Sequence, residues 1–396
     1  MNRPHGGDRR KLSDPRVDEA LEAAQGAGEQ GLQVAAFVHG RPIVDTWHGE
    51  DASGHAVGSD SLFSIFSVTK AVTALAVHRQ VALGRLSYEQ PISEVWPEFG
   101  AHGKERVTVQ DALTHRSGIP QMPEGVTPER MADWDWMTRG IASLTPLYPP
   151  GRTNAYHSYT FGWILGEAVR RSDPAARPFG TYVQEELCVP LGIDSLFLGV
   201  PQERLHNIHD LVYPAPAAPP PEDDPRWRAA PRAVGFGPAT YNQEVVRKAC
   251  IPGAGGIADA RSVARLFALI SGRGEVDGVR LLSEQQVLRF LEPRPDHEAP
   301  DPTFGGVMLV GMGGMHVHPR GVVAVRPGER IVCQVGAGSS IGWADVDSGL
   351  SFAITHNRMV VNPVMAATTA AVVSEPPFVE LGDALREIAR EHTSVH

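Results

Sequence analysis

The sequence predicts an α/β chain of the α+β type, in which an antiparallel sheet built from both chain ends is flanked by helices and interrupted by an inserted, mainly α-helical domain. Three observations predict it. Two β-type runs, 33–39 and 42–47, flank the turn His39-Gly40-Arg41 near the N-terminus. Short β-type runs separated by glycines return after residue 322, and between the two regions the apolar periodicity is helical almost throughout. Strands at both ends with helices in the middle imply one sheet and an inserted lobe. The expected partition is a disordered start at 1–15, a sheet domain from 16–85 with 240–396, and a mainly helical domain over 86–239.

In order along the chain, Val17 to Ala24 opens a helix that ends near Gly26 or Gly28, and the hairpin follows. Gly49 to Asp60 reads as loop, after which Leu62 to Ile65 leads into an apolar helix that starts around Ser67 and stops at Gly84. Thr108 to His115 is a short helix capped by Thr108 and broken by Arg116-Ser117-Gly118. Residues 121–150 mix helix and loop; Trp134, Trp136 and Tyr148 there suit core packing better than a cleft lining. Helices follow at Phe161 to Arg171 and Phe179 to Leu187, whereas the prolines of 214–232 forbid helix or strand and predict a long loop. Gly253-Ala254-Gly255-Gly256-Ile257 turns into a helix capped near Asp259. It lacks both the Gly-Lys-Ser/Thr ending and the leading strand of a nucleotide loop. Ser283 with Gln286 three residues on starts another helix, to Leu291. Strands are expected at 322–325, 331–335, 341–345 and 350–355, then helices at Asn362 to Val373 and Ala384 to Glu391.

Hydrophobic content of 42% with 21% charged residues describes a soluble globular chain, and a formal net charge of −10 argues against nucleic acid or an anionic membrane as partner. A small-molecule partner is expected. The three cysteines, Cys188, Cys250 and Cys333, are too few and scattered for a disulfide framework or a zinc site. The N-terminal residues carry no signal-peptide core, and no apolar run reaches about 18 residues. The expectation is a cytoplasmic protein without a membrane span, needing no cofactor and no metal.

Chemistry concentrates where the apolar helix begins. Ser67 and Lys70 lie one turn apart and share a face. In so apolar a context the charged form of the lysine is disfavoured, which suits it to take a proton from the serine. The amides at the start of the helix point outward, ready for a developing oxyanion. With four lysines in the chain (Lys11, Lys70, Lys104, Lys248), a chance Ser-x-x-Lys has odds of about one in four, so the motif needs company. Without it, Ser67 is a helix cap and Lys70 a snorkelling surface residue. Tyr156 and Ser158, two apart in the loop after Gly151, project to one place. Near Lys70, the cation favours the Tyr156 phenolate, making it a second candidate base and an acid for the leaving group. Otherwise its hydroxyl caps the next helix. His157 points away and has no catalytic role. Gln334-Val335-Gly336-Ala337-Gly338 ends a strand in small residues that let a substrate approach the backbone, and the Ala337 amide is a candidate second oxyanion donor beside that of Ser67. A plain glycine turn is the alternative.

Taken together, these stretches resemble the class C β-lactamase-like serine hydrolases, in particular the family VIII carboxylesterases and related lipases. Ser67-Val68-Thr69-Lys70, Tyr156-His157-Ser158 and the Gly336-Ala337-Gly338 strand stand in the family's order, and Leu113-Thr114-His115-Arg116-Ser117-Gly118-Ile119-Pro120, Tyr159-Thr160-Phe161-Gly162-Trp163 and Ile341-Gly342-Trp343-Ala344-Asp345 match its local wording. The likeness spans roughly residues 30–360. It implies an acyl-enzyme on Ser67, Lys70 with Tyr156 as acid–base partners, and substrate contacts from Ser158, Gln334, Gly336 and Trp343. One departure stands out: where these esterases usually carry His-x-Gly and the β-lactamases Lys-Thr-Gly, this chain has Gln334-Val335-Gly336, which leaves no cation to anchor a substrate carboxylate.

The leading expectation is therefore a carboxylesterase acting on ester, or amide, substrates through acyl-Ser67. An acyltransferase of secondary metabolism, passing the same acyl group to an amine or alcohol acceptor, is the alternative. A non-catalytic binding protein on the same fold comes next. Metal-dependent hydrolysis, with 16 histidines to draw on including His316-Val317-His318, ranks last because no His/Asp cluster has the right spacing in sequence.

Overall fold

Every residue of the strand Leu32–Val38 (β1) is buried, because it runs through the middle of a sheet that helices cover on both faces. The computed structural model describes residues 10–51, 53–213, 221–317, 328–338, 340–359 and 378–394. After β1 come β2 (Arg41–His48), β3 (Phe63–Phe66), β4 (Leu196–Leu198), β5 (Gly256–Ala258), β6 (Glu275–Val276), β7 (Val279–Arg280), β8 (His316–Val317), β9 (Ile331–Val335), β10 (Ile341–Asp345) and β11 (Leu350–His356). The main sheet has the order β2-β1-β11-β10-β9-β8, with every neighbouring pair antiparallel, so both chain ends do contribute to one sheet.

The alternation along each strand assigns the faces. On one face the Ala260–Ser271 helix packs Phe267 over Gly342, where a Cβ would stand 2.2 Å from the ring. The opposite face carries Cys333, Trp343, Phe352 and Ile354, covered by Pro15–Gly26 and by Leu381, Leu385 and Ile388 of the C-terminal helix Phe378–Ser394. A second, small sheet of order β3-β5-β4 sits beside the long buried helix Thr69–Ala82 and delivers the chain into it. That helix has Ala71, Val72, Ala74, Leu75, Ala76 and Val77 without solvent exposure, and Gly84 just beyond it takes a left-handed φ of 68°.

Several caps fall where the sequence places them: Thr108 with Asp111, Ser283 with Gln286, and Asp259 at the head of Ala260–Ser271. Other expectations need correction. Residues 10–15 are ordered, with Leu12 bridging Asp45 and Asp14 capping the first helix. The proline-rich segment holds a short helix, Arg226–Ala229, because Pro225 sits at its N-cap, where the missing N–H costs nothing. As expected, no strand leads into the 253–257 glycines; β5 begins within them, at Gly256. The expected strand 322–325, the expected helix 362–373 and residues 214–220 of the proline-rich loop lie outside the described residues. No described helix is long and apolar enough to cross a membrane.

Candidate functional site

Ser67 stands in the turn between β3 and the Thr69–Ala82 helix, and the residue before it makes that turn. Phe66 adopts a φ of 43°, left-handed for a residue with a Cβ, at a cost of about 1–2 kcal/mol. The surroundings hold it there. The Thr69 hydroxyl donates to the Phe66 carbonyl and accepts from the Gly256 amide of β5 at 2.8 Å, while the Phe66 ring lies 4.7 Å from that of Tyr241. The strand that ends at Ser67 is thus bent and clamped at one residue.

Lys70 is fully buried. Its Nζ lies 2.7 Å from the Ser158 carbonyl, 2.8 Å from the Gly253 carbonyl and 3.0 Å from Ser67 Oγ. Burial alone holds its pKa well below the usual lysine range. A neutral amine has two N–H groups and one lone pair. With both N–H groups donated to the two carbonyls, the lone pair faces the Ser67 hydroxyl. Gly253 owes its position to a close approach: a Cβ on Gly162 would stand 2.0 Å from the Gly253 nitrogen, so only glycine lets the Thr160–Ser172 helix seat against that loop.

Tyr156 joins this pair from a distant part of the chain. Lys70 Nζ sits 4.9 Å from its ring centroid, and the ring is held by His115 at 4.4 Å and Phe304 at 5.9 Å. Its amide donates to the buried Asp301 carboxylate at 2.5 Å. Burial opposes the expected stabilisation of the phenolate by a lysine cation. It holds the Lys70 amine well below the usual lysine range and also pushes the Tyr156 hydroxyl up, to about 12, against the lowering influence of the nearby Ser67 and Gln334 side chains. Both shifts favour the uncharged forms, an amine and a phenol.

Gln334, on β9, points to the same face as Val332 and is buried beside the phenol. Its Nε2 and the Ser158 Oγ are both buried without a hydrogen-bond partner among the described residues. Two such groups beside a nucleophile mark where a bound molecule completes the hydrogen bonding. Ser158 therefore gives its carbonyl to Lys70 and keeps a buried hydroxyl without a partner. Gly336 and Gly338 allow a close approach to β3: a Cβ on Gly336 would stand 2.5 Å from the Ile65 carbonyl oxygen, and one on Gly338 would meet the Phe66 ring at 3.4 Å. Small residues here bring the Ala337 backbone up to the turn that carries Ser67. Among the described residues no acceptor is found for the amides of Ser67 or Ala337, which leaves both available to an oxyanion. Gly336→Ala is expected to force the two segments apart and lower kcat/KM for a small ester about 10- to 100-fold, with the melting temperature recorded alongside. Undiminished turnover would show that this close approach is not needed.

Trp343 does not join the site. It stacks on Phe352 at 5.5 Å on the far face of the sheet, because it alternates with Gly342 and Ala344, which face the Ala260–Ser271 helix. Both ring nitrogens of His157 are engaged elsewhere, one by the Ser117 hydroxyl at 2.7 Å and the other by the Ala155 carbonyl at 2.6 Å. Trp134 donates to Glu167 at 2.8 Å and packs on Phe179. His316 stacks on Tyr156 at 6.4 Å and is buried, and His318 lies outside the described residues. Sequence reasoning missed His115, Asp301, Gly253 and Thr69. His115, Thr69 and Gly253 each sit in a stretch already noted, but only as neighbours of other residues, and Asp301 had no signal.

The sequence profile of the Beta-lactamase family matches residues 17–375. The chain is 34% identical over 355 residues to the Esterase/beta-lactamase LipL of Mycobacterium tuberculosis (strain ATCC 25618 / H37Rv), covering 85% of this chain and 79% of that protein. In three dimensions it is similar to a family VIII carboxylesterase, with a TM-score of 0.85, 25% identity and coverage of 96% of this chain and 99% of the other. It is also similar to a penicillin-binding protein homologue from Caulobacter crescentus, with a TM-score of 0.81, 29% identity and coverage of 95% and 98%.

Proposed function

The chain belongs to the beta-lactamase family of serine hydrolases, and from that premise we propose that it is a carboxylesterase working through an acyl-enzyme on Ser67. Ser67 Oγ attacks the ester carbonyl while its proton passes to the lone pair of Lys70. The amides of Ser67 and Ala337 stabilise the oxyanion. Tyr156, neutral at rest, donates its proton to the departing alkoxide and is reprotonated from Lys70, which returns the amine to its starting state. Water then repeats the sequence in reverse on the acyl-enzyme. The single observation that carries this reading is the arrangement of Lys70, whose two N–H groups have carbonyl partners while the third position faces Ser67 at 3.0 Å.

Gln334 bears on the substrate. A buried amide in place of a cation gives nothing to anchor a carboxylate, so the reading favours uncharged acyl groups, which the unpartnered Nε2 can meet with one hydrogen bond. It also supports a second reading of the deacylation step. With no titratable side chain at that position to assist water, an amine or alcohol acceptor competes well for the acyl group, and the protein is then an acyltransferase through the same intermediate.

Intact-mass measurement after brief exposure to a panel of neutral short-chain aryl esters tests both readings. The expected result is a mass increase equal to the acyl group, absent in Ser67→Ala, that decays in water. Decay accelerated at least tenfold by added amine, with amide as product, assigns the transferase reading. Ester turnover without any acyl adduct on Ser67 overturns the acyl-enzyme itself.

A further inference from the structure

A second cluster lies at the other end of β3, away from the nucleophile. Asp51, His55 and His209 come from two distant pieces of chain, yet their ligand atoms all lie within 4.8 Å of one another. His209 Nδ1 is 3.3 Å from Asp51 Oδ2, and His55 Nδ1 is 3.9 Å from the same oxygen.

The hydrogen bonds around the cluster leave these three atoms over. Asp51 Oδ1 accepts from Ser53 N at 2.9 Å, Ser53 Oγ at 2.6 Å and His55 N at 3.0 Å, which orients the carboxylate and leaves Oδ2 facing the two rings. The other nitrogen of His209, Nε2, meets Ser61 Oγ at 2.8 Å, and that hydroxyl also accepts from Gly58 N at 2.9 Å. His209 is fully buried, with Phe63 at 5.2 Å and His55 at 4.9 Å stacked on either side. Its Nδ1 is buried without a hydrogen-bond partner, because the nearby Asp51 oxygen is close but not aligned with a ring N–H. In the tautomer that donates Nε2–H to Ser61, Nδ1 turns a lone pair toward Asp51 Oδ2, and a cation between the two relieves their repulsion; the other tautomer points an N–H at the carboxylate instead.

We propose that Asp51, His55 and His209 form a structural site for a divalent zinc-class cation, bound through Asp51 Oδ2 and the two Nδ1 atoms, with water completing the shell. Two imidazoles and one carboxylate are the donor set of a borderline ion and not of calcium or magnesium. Ligand atoms about 2.0–2.1 Å from tetrahedral zinc stand about 3.3 Å apart, as His209 Nδ1 and Asp51 Oδ2 already do. The remaining adjustment falls to His55, whose side chain is 55% exposed on the loop. Ser61 acts as the outer partner that fixes the His209 tautomer. The ion would tie the 51–55 loop to the segment carrying His209, whose amide in turn donates to Leu62 O at 3.0 Å beside the start of β3. The site takes no part in the chemistry at Ser67.

Calorimetric titration of chelator-stripped full-length protein with Zn²⁺ tests this, with Co²⁺ absorption as a second readout. The expected result is one tight equivalent per chain, visible d–d bands of a tetrahedral cobalt site, and a melting temperature raised by several degrees. His55→Ala, an exposed substitution that leaves the fold intact, is expected to weaken the zinc affinity at least tenfold and abolish the cobalt bands. His209→Asn should do the same. Binding of equal strength in wild type and His55→Ala, or no stoichiometric binding in the wild type, overturns the proposal.

Discussion

Ser67→Ala is expected to lower kcat for a short-chain ester by about 10⁵-fold or more, to abolish the acyl adduct, and to leave the fold intact. The magnitude follows from what the hydroxyl alone supplies. Neither Lys70 nor Tyr156 can form the acyl bond, so the variant retains only substrate positioning and the two amide donors, and these act on an attacking water with no fixed place. The stability effect is small for a separate reason. In the variant Lys70 still donates to the Ser158 and Gly253 carbonyls, and only its contact with the hydroxyl is lost, a change of about 1 kcal/mol. Burst kinetics, intact mass and a urea melt on one preparation read all three. Unchanged turnover would leave a binding protein on a hydrolase fold, or a reaction centred elsewhere. The reading of Ser67 as nucleophile would then fail, although the fold and family would stand.

Much of this site was legible in the sequence because its first pair is local. Ser67 and Lys70 share a face wherever the helix runs, and a helix with so little polar circumference has to bury its lysine. Tyr156 was legible as a candidate from its loop beside Ser158, a placement the family's wording reinforced, but its protonation was not. A charge state depends on burial and neighbours from every packed element, and here burial acts on the amine and the phenol together. Trp343 shows a different limit. Its motif matched, but strand register puts it on the face opposite Gln334, and the one-residue alternation that decides this depends on which face each helix covers. Contacts made by backbone atoms left no trace at all. The Gly253 carbonyl, the left-handed Phe66 and the Thr69 clamp have no residue-type signature. The Asp51, His55 and His209 cluster escaped because spacing along the chain, which a motif scan reads, says nothing about a ligand more than a hundred and fifty residues away.

Replacing Lys70 with methionine, which keeps the stem and removes the amine, is expected to cut kcat/KM about 10³-fold while the protein still folds. The pH behaviour separates a base from a mere structural lysine. Only the neutral amine accepts a proton from Ser67, so wild-type kcat/KM rises with pH through the Lys70 pKa, and this limb disappears from the residual rate of the variant. Stability carries the same information with its own sign. In the unfolded chain Lys70 titrates near the ordinary value of about 10.5, whereas burial holds the folded value well below it. Between the two, the unfolded state binds one proton more than the folded state, so the lysine makes wild-type stability rise with pH and fall as pH falls, by about 1.4 kcal/mol per pH unit. Methionine removes that slope. It also leaves the Ser158 and Gly253 carbonyls without their donor, at a cost of about 1–3 kcal/mol each. The variant is therefore the less stable protein at high pH and gains on the wild type as the pH drops. Urea midpoints across a pH series measure this difference; His78, which Lys70 does not influence, cancels between the two proteins, whereas His115, His157 and His316 feel the Lys70 charge and contribute a part of their own at low pH, so the comparison is read above the histidine range. A stability difference that does not change with pH would mean that Lys70 stays protonated in the fold. A charged amine has no lone pair to turn toward Ser67, and the proton would then need another acceptor.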